Sequence, residues 1–300
     1  MPANNIPVIG LVLHFRTPEK TLACLRAQQH EKISKVVVVD NSEDEGESVA
    51  VMQKGLEDLS RNDFDIKIVP SDHNLGFAGG VNLGLAYIKT LQPCHVLLIN
   101  SDATLGEGSL HHMRGLLEKS TIVAPRILQD NQTLVSPFSY YDRLLGLITC
   151  QPKLSPLRYA SGCCLLIHYN LAKNELFDQD YFFYGEDVML AFNTNKYGIK
   201  IIECSEAIVR HSTSSSSKNG SMFYEYHINR SHWLLAKKLA RNPLERYTFI
   251  AARCISLPIR ALIRSLRSGS LVAWRALRDA TIDFALGKCR SLTPPRRDDT

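Results

Sequence analysis

His95-Val96-Leu97-Leu98-Ile99-Asn100-Ser101-Asp102 is an apolar run that stops abruptly on Asn-x-Asp. Its length and its Val and Ile content read as a buried strand. In an open α/β sheet, groups at the carboxyl ends of strands face the ligand crevice. A carboxylate placed there, followed by a flexible Ala103-Thr104, can hold a divalent cation against phosphate oxygens. Ser and Asp are also ordinary helix N-caps. The surrounding sequence decides between the two readings.

Before this strand, Val8 to Leu13 reads as a first strand and Thr17-Pro18-Glu19 opens a helix with Pro in its first turn. Lys35-Val36-Val37-Val38-Val39-Asp40 is a second apolar strand, again ending on a carboxylate. A helix around Val49 to Leu59, a strand at Ile66 to Val69 and a helix from Gly76 to Ile88 follow. Strands alternating with helices at this spacing predict an α/β fold with a mostly parallel sheet, and strands this apolar need helices on both faces. Beyond residue 125, Ser161 to Ile167 and Ile199 to Glu203 read as strands and Glu186 to Lys196 as a helix. From Met222 the chain reads as helical to about Leu286, interrupted near Pro243, Pro258 and Gly269. The Ser-rich stretch 212–219 reads as a loop and the residues from Pro294 as a tail.

The chain has 300 residues, 45% hydrophobic and 22% charged, as expected of a globular protein. Its net charge of +5 is unevenly spread, with eight arginines against one acid, Glu245, between Arg241 and Arg278. Eight cysteines occur with no Cys-x-x-Cys spacing, which argues against a structural zinc site and gives no disulfide framework. The first residues lack the pattern of a signal peptide, and no uncharged stretch is long enough to span a bilayer. These features predict a cytosolic protein.

Three further segments bear on chemistry. Asp72-His73-Asn74-Leu75-Gly76-Phe77-Ala78-Gly79-Gly80-Val81-Asn82-Leu83-Gly84 is a Gly-rich entry to a helix, able to aim amides and the helix dipole at an anion. It is neither G-x-G-x-x-G nor a P-loop, and the same small residues also suit close helix packing. Asp40 can accept a hydrogen bond from a ribose hydroxyl or a base N–H, or simply form a turn. Phe177-Asp178-Gln179-Asp180-Tyr181-Phe182-Phe183-Tyr184-Gly185-Glu186-Asp187 places adjacent carboxylates after an aromatic cluster at a helix start. Burial there would raise a carboxylate's pKa toward the range of a general base, while the plainer role is to complement the helix dipole. His211 ends the apolar run Ala207 to Arg210 and is a candidate second metal ligand beside Asp102.

In their order, Val-Val-Asp-Asn-Ser, Asn-Leu-Gly-Phe-Ala-Gly-Gly-x-Asn, Leu-Ile-Asn-Ser-Asp, Phe-Phe-Tyr-Gly-Glu-Asp and His resemble the family 2 glycosyltransferases, most of all their rhamnosyltransferase-like branch. The resemblance implies a GT-A fold. It makes residues 6–125 the nucleotide-sugar-binding half, 126–221 the acceptor-binding and catalytic half, and 222–290 a basic helical extension. Carried over by position, Asp40 would contact the nucleotide, and Asn74, Gly76, Gly80 and Asn82 would lie near the donor. Asn100 and Asp102 would stand at its diphosphate, with Asp102 and His211 binding Mg²⁺ or Mn²⁺. Asp187 would be the catalytic base with Glu186 beside it. The implied reaction is inverting transfer of a sugar, rhamnose among the options, from a nucleoside diphosphate donor to a saccharide or polyprenyl-linked acceptor in surface polysaccharide synthesis. This chain departs from the pattern at His14-Phe15-Arg16, where relatives carry Asn-aromatic-Asn, and at Met189, where they carry an acid.

Basic, apolar residues from Arg246 to Arg278 read as an amphipathic extension for an anionic membrane surface, placing the enzyme on the inner face of the cell membrane. A solvated face or a dimer contact is the plainer alternative. No nucleic-acid-binding motif accompanies the arginines. A sugar nucleotidyltransferase would carry a basic Gly-rich loop near the first strand, which Val8 to Thr17 lacks. A decayed, nucleotide-sugar-binding scaffold would have no need of Asp102, Asp187 and His211 together.

Overall fold

The computed structural model describes residues 6–60, 64–151, 156–211 and 220–289. In chain order they form β1 (Val8–His14), α1 (Pro18–His30), β2 (Lys35–Asp40), α2 (Glu47–Ser60), β3 (Asp65–Pro70), α3 (Gly76–Ile88), β4 (His95–Asn100), β5 (Ala103–Leu105) and α4 (Ser109–Gly115). Then come β6 (Thr121–Leu128), β7 (Leu134–Val135), β8 (Phe138–Asp142), β9 (Ile148–Thr149), β10 (Pro156–Ala160), β11 (Cys164–Ile167), α5 (Glu186–Lys196) and β12 (Lys200–His211). The last helices are α6 (Met222–Lys238), α7 (Pro243–Ser268) and α8 (Val272–Ala285). Two compact units result: Met1–Phe138 with Ala160–Asp178 and Asn193–Thr213, and Ser139–Tyr159 with Gln179–Phe192 and Ser214–Thr300. The predicted loop 212–219 and the tail from 294 lie outside the described residues.

The first unit is built on one sheet of order β3-β2-β1-β4-β11-β6-β12-β5, with β7 against β6. Side chains alternate across it. Val12, Val38 and Ile99 join residues of α1, α2 and α4 in one buried cluster, while Leu11, Leu13 and Val39 meet α3. Two glycines one turn apart let α3 come that close. A Cβ on Gly80 would lie 2.4 Å from Leu13 Cδ1, and one on Gly84 would lie 2.3 Å from Leu11 Cδ1. At the other face the carboxylate of Glu31 accepts from the backbone N–H groups of Gly108 (2.6 Å) and Leu110 (2.7 Å), capping α4.

Pairing is parallel from β3 through β4 and between β6 and β12, but β11 runs antiparallel between β4 and β6. The sheet is therefore parallel in its first half and mixed beyond. Ala103 and Thr104, expected to be flexible, are strand β5, with Ala103 opposite His211 and Thr104 opposite Arg210. Three residues carry no periodic signal of their own, and the pairing partner lies over a hundred positions away. The two separate runs read at 199–203 and 207–210 are one strand, β12, whose register against β6 shifts between Cys204 and Ile208.

In the second unit, β10, β8 and β9 form a small sheet, and Tyr141, Tyr181, Val188, Met189, Leu234 and Leu235 share a core with neighbours. Met189, the departure noted above, is thus a packing residue. Pro258 was expected to interrupt the helix, yet α7 runs unbroken for 26 residues. The ring removes one backbone hydrogen bond, and burial of Leu257 and Ala261 in one cluster with Trp233 holds the helix together. Arg253 is fully buried on α7. Its guanidinium donates to Tyr141 Oη (3.1 Å) and to the carbonyls of Arg143 (3.1 Å) and Leu144.

Two glycine substitutions test this packing. Gly84→Ala is expected to cost about 1–3 kcal/mol, the usual penalty for overfilling a core. Gly115→Ala, with nothing within 4 Å of the added Cβ, is expected to be neutral or to stabilise by up to about 1 kcal/mol. Urea unfolding of both variants measures the difference.

Candidate active site

Strand register assembles the site edge of the first unit. His14 lies opposite Asp40, Asp40 opposite Pro70, and Leu13 opposite Asn100. Parallel strands in that register end along one line, so the segments that leave them, 15–17, 41–43 and 101–102, emerge side by side.

The loop after β2 is pinned from two directions. Arg16, at φ 50°, donates its backbone N–H to Ser42 Oγ (3.1 Å) and its Nε–H to the Ser42 carbonyl (2.8 Å). Asn41 donates from Nδ2 to Asn74 Oδ1 (2.9 Å) and the Gly76 carbonyl (3.1 Å), and accepts from Leu75 N–H (2.8 Å). Asp40 itself is nearly buried and accepts from the Ser42 N–H at 3.1 Å. His14 is buried against Thr21 Oγ1 (2.7 Å) and Ser48 Oγ (3.0 Å). Burial lowers its pKa against the opposing pull of Asp40 and Asp44, so at neutral pH it is an uncharged strut.

Asp102 and His211 do come together. Pairing of β5 with β12 sets His211 opposite Ala103, leaving Asp102 Oδ1 and His211 Nε2 3.3 Å apart. Both side chains keep some exposure, 12% for Asp102 and 22% for His211. Two residues back, Asn100 Oδ1 is buried with no hydrogen-bond partner among the described residues. A carboxylate after β4 paired with an imidazole at the end of β12, with an orphaned amide oxygen two residues before the carboxylate, are donor types that suit a divalent cation. Among the described residues no group of three or more His, Cys, Asp or Glu is placed to hold a metal. A cation here would therefore depend on donor oxygens to complete its shell, as Mg²⁺ commonly does.

Other expected donor residues are committed within the fold. Asn74 Oδ1 accepts from Asn41 and from the Gly76 N–H (2.9 Å), which makes it a loop brace. Gly76 sits at φ 70° at the start of α3, a conformation that favours glycine. Gly80 serves the packing against Leu13 described above. Asn82, expected near the donor, makes its hydrogen bonds to the segment 176–177. Its Oδ1 accepts from the N–H groups of Leu176 (3.0 Å) and Phe177 (3.2 Å), and its Nδ2 donates to the Phe177 carbonyl (2.7 Å). A buried asparagine whose oxygen and nitrogen are both used inside the protein holds a segment in place.

In the second unit Tyr184 (φ 66°) and Gly185 (φ 90°) both adopt left-handed conformations just ahead of α5. Ser231 Oγ on α6 donates to the Tyr184 carbonyl at 2.6 Å. A Cβ on Gly185 would sit 2.0 Å from that same Oγ. This braced turn delivers Glu186 and Asp187 together at the helix start. Glu186 is buried, and its Oε2 has no hydrogen-bond partner among the described residues. Burial, reinforced by the charge of Asp187, raises its pKa to about 8. Burial also pushes the Tyr159 hydroxyl well up, with Asp187 adding to the shift and a hydrogen bond from Ser139 opposing it. Tyr159 therefore stays a donor within electrostatic reach of Asp187.

Asn41, Arg16, Tyr159 and Ser231 were not identified from the sequence as site residues. Asn41 follows Asp40 at the end of a buried strand, which was the available signal. Tyr159 and Ser231 carry none, since only the tertiary fold brings them to the 184–187 turn.

The fold is that of the GT-A glycosyltransferases. A crystal structure of S. aureus TarS superposes with a TM-score of 0.54 at 16% identity, covering 93% of this chain and 80% of that one. The mannosyltransferase PcManGT of Pyrobaculum calidifontis, in complex with GDP-Man and Mn2+, gives 0.56 at 12% identity, covering 96% and 89%. Residues 18–175 match glycosyl transferase family 2, and the chain belongs to that family. It is also 22% identical over 230 residues, 72% of each chain, to the low-salt glycan biosynthesis hexosyltransferase Agl10 of Haloferax volcanii.

The raised pKa of Glu186 has a consequence for stability. The unfolded chain loses this proton near the ordinary value of 4.5 and the folded chain only near 8. Between those values the folded state binds more protons, so the contribution of this group falls as pH rises. Glu186→Gln removes that slope. Its melting temperature is expected to gain on the wild type steadily from about pH 5 to pH 8, read by thermal denaturation across that range.

Proposed function

We propose that this glycosyltransferase moves a hexose-class sugar, rhamnose included, from a nucleoside diphosphate donor to a saccharide or lipid-linked saccharide, with inversion at the anomeric carbon. The observation that carries the reading is the Asp102–His211 pair, 3.3 Å apart at the carboxyl edge of the sheet, together with the orphaned oxygen of Asn100. GDP-Man and Mn2+ in PcManGT support it, as does the hexosyltransferase name of the archaeal relative.

The donor nucleotide would meet Asp40 and the loop that Arg16 and Asn41 pin, with its diphosphate at Asn100 and Asp102. Asp102 and His211 would hold a divalent cation, Mg²⁺ or Mn²⁺, which would supply charge neutralisation for the leaving diphosphate. Asp187 removes the proton of the acceptor hydroxyl. That oxygen then bonds to the anomeric carbon from the face opposite the diphosphate, whose bond to carbon breaks and leaves with the electron pair. Glu186, still protonated near neutral pH, leaves the proton-accepting role to Asp187.

Thermal shift against a panel of nucleotide sugars, with Mn²⁺ and then with EDTA, tests the reading. One donor is expected to stabilise the wild type only with metal, and Asp102→Ala is expected to abolish that difference. Asp187→Asn is expected to keep the donor shift while turnover falls about 10²–10⁴-fold. Donor binding indifferent to EDTA removes the metal from the reading, and an Asp187→Asn enzyme with wild-type turnover removes the base.

A further inference from the structure

The sequence suggests a basic helix facing a membrane; the structure reverses which side of α7 is basic. Arg253 is buried, and Arg260 (2.7 Å) and Arg264 turn inward to pair with the buried carboxylate of Glu225 on α6. The opposite side is apolar and open. Leu244, Ile255, Ile259, Leu262 and Leu266 recur at the spacing of one helix face, with exposures of 77%, 66%, 52%, 49% and 77%. A soluble helix normally shows the reverse arrangement.

We propose that this outer face of α7 docks on an anionic lipid bilayer, lying in the interface with its leucines and isoleucines inserted. Charge at the ends of the stripe and one aromatic ring beside it select this occupant. Exposed charge at its ends is positive, from Arg241 and Arg246 at one end and Arg267 at the other, because Glu245 is paired with Arg143 at 2.9 Å and Glu225 is spent on Arg260 and Arg264. Anionic headgroups complement that rim, whereas a second copy laid on this face would bring like charges together. Tyr247, 69% exposed beside the stripe, has the amphipathic ring favoured at headgroup depth.

Docking of this kind would carry the enzyme to a lipid-linked acceptor, and rests on the transferase reading only for that purpose. The test is flotation of the full chain with vesicles of phosphatidylcholine alone and of phosphatidylcholine doped with phosphatidylglycerol. The protein is expected to float with the doped vesicles and much less with the neutral ones. Ile255→Ser, Leu262→Ser and Leu266→Ser combined is expected to weaken partitioning by roughly tenfold or more per residue. Its melting temperature and metal-dependent donor shift should stay at wild-type values, since these side chains face outward and lie outside the proposed donor site. Failure of the wild type to float, or equal flotation of the serine variant, overturns the proposal. So does a wild-type dimer in analytical ultracentrifugation that the serine variant abolishes, which would assign the face to a second copy.

Discussion

Parallel hydrogen bonding of β1 to both β2 and β4 is the constraint on which the rest of the first unit depends. The pairing aligns the last residues of three strands, so a nucleotide pocket need only be furnished by the short segments that leave them. Burial of β1, β2 and β4 on both faces makes this register costly to change. A one-residue slip would exchange the side chains meeting α3 for those meeting α1 and α2. Gly80 and Gly84 belong to the same logic, since their missing side chains set how deeply α3 sits on Leu11 and Leu13.

The two carboxylates at the start of α5 sit under a different constraint. Their turn needs consecutive left-handed residues, one of them Tyr184, and such backbone persists only where its surroundings over-determine it. Here Ser231 donates to the Tyr184 carbonyl, and Tyr181 and Ser231 together leave no room for a side chain on Gly185. The gain is a pair of acids held in unlike environments. Glu186 is deep enough to keep its proton up to about pH 8, while Asp187 is only half-buried.

Much of this was legible in the sequence because it was written in local patterns. Apolar runs ending on Asp40 and on Asn100-Ser101-Asp102 marked two strand ends, and Gly76 to Ile88 and Glu186 to Lys196 emerged with the bounds read for them. What the sequence concealed was how polar side chains are spent. The hydrogen bonds of Asn82 to Leu176 and Phe177 could not be read from its motif. Asn41 was not singled out and is the brace joining two loops. The arginines of α7 looked outward-facing until Glu225, a single buried acid on another helix, drew two of them in. Periodicity reports which face of a helix differs from the other; it does not report which face the partner helix takes.

The length of β12 decides where its last residue lands. His211 reaches Asp102 because the strand begins paired at Lys200 opposite Thr121 and absorbs a register shift between Cys204 and Ile208 before it meets β5. The shift works as a spacer, fixing how many residues separate the start of the strand from its final imidazole. Within that spacer the side chains have latitude, because Ser205 and Glu206 are exposed. Loss or gain of one residue there has none, since each step along a strand sends the next side chain to the opposite face. The position of the histidine is therefore held by counting more than by chemical identity, and across related chains the spacer should vary at its exposed positions while keeping its length.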